Sequence, residues 1–267
     1  MSYQRIQPEG WDILDISYSM DQINNAWKNG EILQAKVIEC DSSYNLHIEL
    51  GKDIEGIIPR EEIEAVNTDN SGFPKANICA NKVNNYVQFK VKDIKENNVI
   101  LSRKNVGREV LNWINTELQE GDVVNGIIKN IRPYGVFVEI GGGIVGLLHI
   151  EDISVARIKS PSERFNIGQK INVMIKSIDR NLERVILTYK ELLGTWEENI
   201  SNYREGQTVK GIVRNTEKSK NGIFIELKPN LVGLADYTDN LEYGKQIDVY
   251  IKKIIPEKKK IKLLIAN

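Results

Sequence analysis

The stretch "RPYGVFVEIGGG" (132–143) decides how the rest of the chain is read. Successive side chains of a strand point to opposite faces, so Val136, Val138 and Ile140 share one side, and Phe137 falls beside Glu139 on the other. The first side is the inner face of a half-buried strand. The second sets an aromatic ring next to a carboxylate, which is not the composition of a core.

The same pattern occurs three times. "GEILQAKVIEC" from Gly30, "GDVVNGIIKNI" from Gly121 and "GQTVKGIVRNT" from Gly206 open the repeats, followed by "YNLHIEL" (44–50), "YGVFVEI" (134–140) and "NGIFIEL" (221–227). A glycine stands nine residues after His47, Phe137 or Phe224 in each repeat, at Gly56, Gly146 and Gly233. Later strands recur as "NNYVQFKVKDI" (84–94), "GQKINVMIKSI" (168–178) and "GKQIDVYIKKI" (244–254), closing with "VILSRK" (99–104), "VILTYK" (185–190) and "IKLLIA" (261–266). Four or five short alternating strands per repeat, separated by turn signals, fit a small closed barrel of the OB type. Closure removes exposed sheet edges.

The fold class is therefore all-β, with three tandem five-stranded OB barrels joined by short helical linkers. The expected organisation is an N-terminal helical segment (1–29), a first barrel (30–106), a linker (107–120), a second barrel (121–193), a linker (194–204) and a shortened third barrel (205–267). Ser19 with Gln22 and Thr195 with Glu198 are capping boxes. They place helices over Met20, Ile23 and Trp27 and over 195–203, and a third helix is expected over about 107–118. Trp27, Trp113 and Trp196 are expected to be buried connectors. The link between Asp236 and Gly244 is too short for a helix.

Composition narrows the function. Apolar residues make up 41% of the 267-residue chain, yet none of its runs reaches the eighteen needed to span a membrane, and the N-terminus lacks a secretory pattern. A cytoplasmic location is expected. Cys40 and Cys79 form no metal-ligand spacing, so neither metal nor cofactor is expected. The net charge of −1 hides an asymmetry, because residues 1–120 carry 13 Lys+Arg against 19 Asp+Glu and residues 205–267 carry 12 against 8. An acidic first third suits a protein partner, and a basic remainder suits a polyanion. Two histidines in separate repeats, with no nucleophile motif or phosphate-cradling loop, leave an enzyme without its parts.

Exposed rings on an OB sheet stack on the bases of single strands, while basic side chains follow the phosphates. The middle repeat is richest, with Tyr134 three residues before Phe137 and Gly135 easing the backbone between them. His149 is expected on the neighbouring strand. Asp179, Arg180 and Arg184 bracket the last turn, placed to meet phosphate, base edge or 2′-hydroxyl. The outer repeats retain Tyr44 and His47 in the first, and Phe224 and Lys260 in the third. The alternative for each ring is burial beneath a loop or helix. Glu49, Glu139 and Glu226 recur at one position and are expected to belong to the barrels' surface.

From "GDVVNGIIKNIRPYGVFVEIGGGIVGLLHIEDIS" to "GQKINVMIKSIDRNLERVILTYK", the middle repeat resembles the RNA-binding domain named after bacterial ribosomal protein S1. The resemblance implies a five-stranded OB barrel whose RNA face corresponds here to Tyr134, Phe137, His149, Asp179 and Arg184. The outer repeats depart from the pattern. Pro59 stands at the histidine position of the first, where no arginine precedes Val99. Asn221, Asp236 and Lys260 stand at the first aromatic, histidine and arginine positions of the third. The resemblance further implies a translation protein that holds single-stranded messenger RNA. Its N-terminal segment and first repeat, including Ile23 and Trp27, would dock the small ribosomal subunit or another protein. The competing expectation is a protein-binding adaptor or regulator of RNA fate.

Overall fold

The structure, a computed structural model, describes residues 6–12, 17–65, 70, 72–95, 98–215, 222–239 and 241–266. Residues 1–129, 137–146 and 167–185 form one compact body, and residues 130–136, 147–166 and 186–267 form a second.

The first barrel is built from β1 (Leu33–Cys40), β2 (Leu46–Gly51), β3 (Ile54–Ile58), β4 (Tyr86–Lys95) and β5 (Asn98–Ser102), closed in the order β1-β2-β3-β5-β4. The pairings are antiparallel except between β3 and β5, where Gly56 lies opposite Val99 and Ile57 opposite Ile100. Alternation sends Leu46, Ile48 and Leu50 fully into the core, with Ile58, Phe89 and Leu101. The recurring glycine has a steric reason. A Cβ on Gly56 would lie 2.5 Å from Leu101 Cδ1 and 2.9 Å from Leu50 Cδ1, so a side chain there would displace the barrel's filling.

The middle barrel comprises β6 (Val123–Arg132), β7 (Gly135–Gly141), β8 (Ile144–His149), β9 (Lys170–Asp179) and β10 (Arg184–Thr188). It closes in the order β10-β8-β7-β6-β9. The third comprises β11 (Thr208–Val213), β12 (Ile223–Lys228), β13 (Leu231–Ala235), β14 (Gln246–Ile255) and β15 (Lys260–Ile265), closed as β11-β12-β13-β15-β14. Its core gathers Val213, Ile223, Ile225, Val249, Ile251 and Leu263. Among the described residues, the link between β13 and β14 contains no helix, as its length implies.

Among the described residues, four α-helices join or decorate the barrels: α1 (Met20–Asn29), α2 (Ala76–Ala80), α3 (Arg103–Thr116) and α4 (Trp196–Ile200). Both capping boxes form, at Ser19 and Gln22 before α1 and at Thr195 and Glu198 before α4. Helix α3 starts four residues ahead of its expected position. Ser102 ends β5 and at once caps α3, its hydroxyl accepting from the Asn105 N–H at 3.0 Å, so Arg103 and Lys104 are helical. The tryptophans divide: Trp113 is buried and Trp196 half-buried, while Trp27 stays 41% exposed, contrary to expectation. The α1 stripe buries Ile23 and Ala26 instead, and leaves Trp27 outside. Cys40 and Cys79 are free thiols.

Candidate nucleic-acid interface

On β7, Val136, Val138 and Ile140 are inward and buried, as alternation requires, and Phe137 is half-buried on the outer side. Tyr134, in the preceding turn, is 50% exposed. Gly135 is needed because a Cβ there would lie 2.5 Å from the Leu148 carbonyl oxygen and 3.1 Å from His149 Cα. The close approach also ties the backbones together, since the Ile150 N–H donates to the Tyr134 carbonyl at 2.9 Å. His149 ends β8 with a partly exposed ring, and its Nδ1 faces the Glu151 N–H at 3.4 Å. Tyr134 and His149 are thus held side by side by main chain.

The last turn divides the remaining expected residues. Asp179 Oδ1 accepts from the N–H groups of Asn181 and Leu182, at 3.1 and 3.0 Å, and so shapes the turn. Arg180 donates to the carbonyls of Asn115 and Leu118, both at 3.1 Å, which spends its guanidinium at the C-terminal end of α3. Arg184 is exposed at the start of β10, with no ion-pair or hydrogen-bond partner among the described residues.

In the first barrel, the His47 ring lies between Glu55 and Asp41, the latter at 3.5 Å. The hydrogen bond to Glu55, and then Asp41, raise its pKa above the ordinary imidazole range. Its charge is already compensated, which weakens any claim on phosphate. Tyr44 sits at φ 64° with the Arg60 guanidinium 4.9 Å from its ring centre. Arg60 also covers Phe73 at 5.5 Å and donates to the Pro74 carbonyl, an arrangement that reading strand by strand did not suggest. In the third barrel Phe224 is 42% exposed and Lys260 is exposed, whereas Asn221 lies outside the described residues.

The recurring glutamate is corrected. Glu139 is 1% exposed and Glu226 is 3% exposed; only Glu49 stands on the surface. Glu139 Oε1 accepts from the Glu9 N–H at 2.9 Å and the Gly143 N–H at 3.1 Å, and Lys129 Nζ lies 3.0 Å from Oε2. Glu9 is itself buried: Arg103 donates to it at 2.6 and 2.9 Å, and the Gln88 N–H donates at 3.0 Å. Arg103 further pairs with Glu64 at 2.9 Å. Burial drives the Glu9 carboxyl upward, but Arg103 more than reverses this and holds it below the usual range. Burial and the Glu9 charge raise Glu139. The glycines of "GGG" make room for this cluster, all three at positive φ, and a Cβ on Gly143 would overlap the Arg103 guanidinium.

Glu226 plays the same part in the second body, where Arg214 Nε and Arg164 Nη2 both donate to its Oε2 at 2.5 Å. Arg214 occupies the strand position of Lys129, and Arg164 comes from the preceding repeat. Asn230, in the β12–β13 turn, accepts from the Val155 N–H at 3.1 Å and donates to the Gly194 carbonyl at 3.0 Å. The outer face of the second strand therefore serves two ends. Its glutamate receives a neighbouring segment, and two residues away it carries a ring, half-buried at Phe137 and exposed at Phe224. Local alternation could not show this, because Glu9 and Arg103 are separated from their partners by long stretches of sequence.

Among the described residues, no group of three or more His, Cys, Asp or Glu is placed to hold a metal, and no helix is long and apolar enough to cross a membrane. The arrangement defines a tandem OB-barrel protein whose middle barrel presents two rings and a histidine. The S1 RNA binding domain family matches residues 117–190, which is that barrel. Small ribosomal subunit protein bS1 of Staphylococcus aureus is 31% identical over 94% of this chain and 66% of its own length. The bS1 of Rhizobium meliloti is 29% identical over 93% of this chain and 49% of its own length. GSP13 from Bacillus subtilis, a solution structure, is similar over 28% of this chain and 58% of its own, at 22% identity and a TM-score of 0.28. The chain belongs to the bS1-like family of S1-domain proteins. It spans about two thirds or less of the length of these bS1 relatives.

Proposed function

We propose that the chain binds single-stranded RNA without catalysing a reaction on it, and acts in translation by holding messenger RNA on or near the small ribosomal subunit in the cytoplasm. The observation that carries this reading is the middle barrel's exposed Tyr134, tied through the main chain to His149 and followed three residues on, in β7, by Phe137. The S1 RNA binding domain match lies over the same residues. Tyr134 and Phe137 offer base-stacking faces, His149 a further ring, Arg184 a free guanidinium, and Asp179 a turn carboxylate at the rim. Arg180 and His47 take a smaller share, because their polar groups already have partners. The N-terminal segment and first repeat, with their excess of acidic residues, are assigned to a protein contact.

Titration of a fluorescent single-stranded oligonucleotide tests this. Phe137→Ala removes one stacking contact, worth about 1–3 kcal/mol, and so weakens binding by roughly 5- to 150-fold with the fold retained. Unchanged affinity refutes the assignment. The affinity of the intact protein is expected to fall with salt, at a slope of about 0.7 per phosphate contact.

The second reading, a protein-binding adaptor, draws on the compensated His47 and the acid excess of residues 1–120. It is favoured if ribosome association survives ribonuclease and requires residues 1–105.

A further inference from the structure

Residues 6–12, "IQPEGWD", form neither helix nor strand, yet Pro8, Glu9 and Gly10 are buried. The segment makes one tight turn, in which the Trp11 N–H donates to the Pro8 carbonyl at 3.0 Å and Gly10 takes φ 85°. It joins neither barrel's sheet. Side chains hold its main chain instead. Gln34 on β1 accepts from the Gly10 N–H at 2.7 Å and donates to the Asp12 carbonyl at 3.2 Å. Glu139 on β7 accepts from the Glu9 N–H, Lys129 on β6 reaches the Glu9 carbonyl at 3.4 Å, and Lys170 on β9 reaches the Trp11 carbonyl. Asn125, the counterpart of Gln34 in the middle barrel, donates to the Gln7 side chain at 2.7 Å. The segment therefore bridges two barrels through contacts whose release unravels neither sheet.

The charges of the seat permit that release. Glu9, Glu64 and Glu139 face Arg103, Lys82 and Lys129 there. When Glu9 withdraws, Glu64 keeps both Arg103 and Lys82, and Glu139 keeps Lys129, so no buried carboxylate is stranded. The Glu9 carboxylate meanwhile returns to water, where it needs no partner. The seat left behind holds one cation more than it holds carboxylates, which selects an acidic residue for re-entry.

We infer that residues 6–12 are a detachable latch, seated between the first and middle barrels in the free protein and withdrawn when the N-terminal segment docks on a protein partner. This rests on the assignment of that segment to a protein contact. The two uses exclude each other, because Pro8, Glu9 and Gly10 cannot be buried in the seat and offered to a partner at once. The seat thus competes with the partner, whose apparent affinity is reduced in proportion to the unlatched fraction. Docking in turn frees the first barrel from this tie to the middle one.

The test uses the full chain and a variant of it, Gln34→Ala with Asn125→Ala, which removes three hydrogen bonds to the segment without altering charge or touching the segment itself. Each bond contributes about twofold to tenfold, so the unlatched population should rise about tenfold or more. The Gln88 N–H is the reporter, since it belongs to the first barrel and donates to Glu9 at 3.0 Å only while the segment is seated. Its hydrogen exchange is expected to quicken about tenfold or more in the variant, while the core amides of β2 keep their protection. Purified small ribosomal subunits are expected to bind the variant more tightly by the same factor, and to quicken Gln88 exchange in the intact protein. A short single-stranded RNA should bind both proteins alike. Unchanged Gln88 exchange in the variant, or Gln88 still protected in intact protein bound to the subunit, overturns the inference. So does equal or weaker subunit binding by the variant, or an equal gain for RNA. If the intact protein shows no association with subunits, the partner assignment fails, and Gln88 exchange in the variant still decides whether the segment detaches.

Discussion

Arg103→Met tests whether the buried cluster around Glu9 is held together by charge. Arg103 is 2% exposed, donates two hydrogen bonds to Glu9 and one to the Ile63 carbonyl, and pairs with Glu64 at 2.9 Å. Methionine fills much of the same volume without the charge, leaving the Glu9 carboxylate with no ion-pair partner, while Lys129 stays on Glu139 at 3.0 Å and Lys82 on Glu64 at 2.9 Å. Stripping one partner from a buried pair destabilises by about 3–5 kcal/mol. With a urea slope of about 1–3 kcal/mol per M, the first body's midpoint should fall by at least about 1 M.

The pH dependence carries a sign of its own. Arg103 holds the Glu9 carboxyl below the ordinary glutamate range, so in the intact protein its contribution is present above the unfolded value and is lost as pH falls through the folded value. Without Arg103, only the Gln88 N–H and the Lys82 charge still oppose burial, the largest influence on Glu9, and the folded value rises. The deficit is then largest at neutral pH and shrinks toward pH ~5. Urea unfolding at the two pH values reads this directly. A loss under about 1 kcal/mol at neutral pH, or one that does not shrink on acidification, refutes the reasoning. Adding Glu9→Gln to Arg103→Met should restore part of the stability, because it removes the orphaned charge.

Two further outcomes follow from the docking contacts. Glu226→Ala leaves two guanidiniums, Arg214 and Arg164, without their shared acceptor and should cost the second body about 3–5 kcal/mol by the same measurement. The exposed Glu49, at the equivalent position, should change by less than about 0.5 kcal/mol on the same substitution. Gly143→Ala sets a Cβ at φ 77° against Arg103, and is expected to lower the first body's thermal midpoint by several degrees, whereas Gly121→Ala, with open space around it, pays only the backbone strain.

The barrels were legible because period-two alternation and the repeated glycine are local. Leu46, Ile48 and Leu50 declare a buried face without reference to anything distant, and Gly56 marks a close approach wherever β3 meets β5. The capping boxes at Ser19 and Thr195 are equally local, and both formed. Helix α3 started early because Ser102 serves as a strand end and a helix cap at once, which alternation cannot reveal. Trp27 fell outside because a helical stripe is broad, and packing chose Ile23 and Ala26 for its centre.

The sequence by itself therefore determined three five-stranded barrels, the inner face of every second strand and the rings left on the outer faces, since each follows from spacing over a few residues. Only the tertiary structure decided that Glu139 and Glu226 are buried, and that Arg180 is spent on α3 and His47 on carboxylates. Those outcomes depend on which distant segment reaches a given face. Burying a carboxylate is tolerable only where a partner such as Arg103 or Arg214 arrives from elsewhere in the chain.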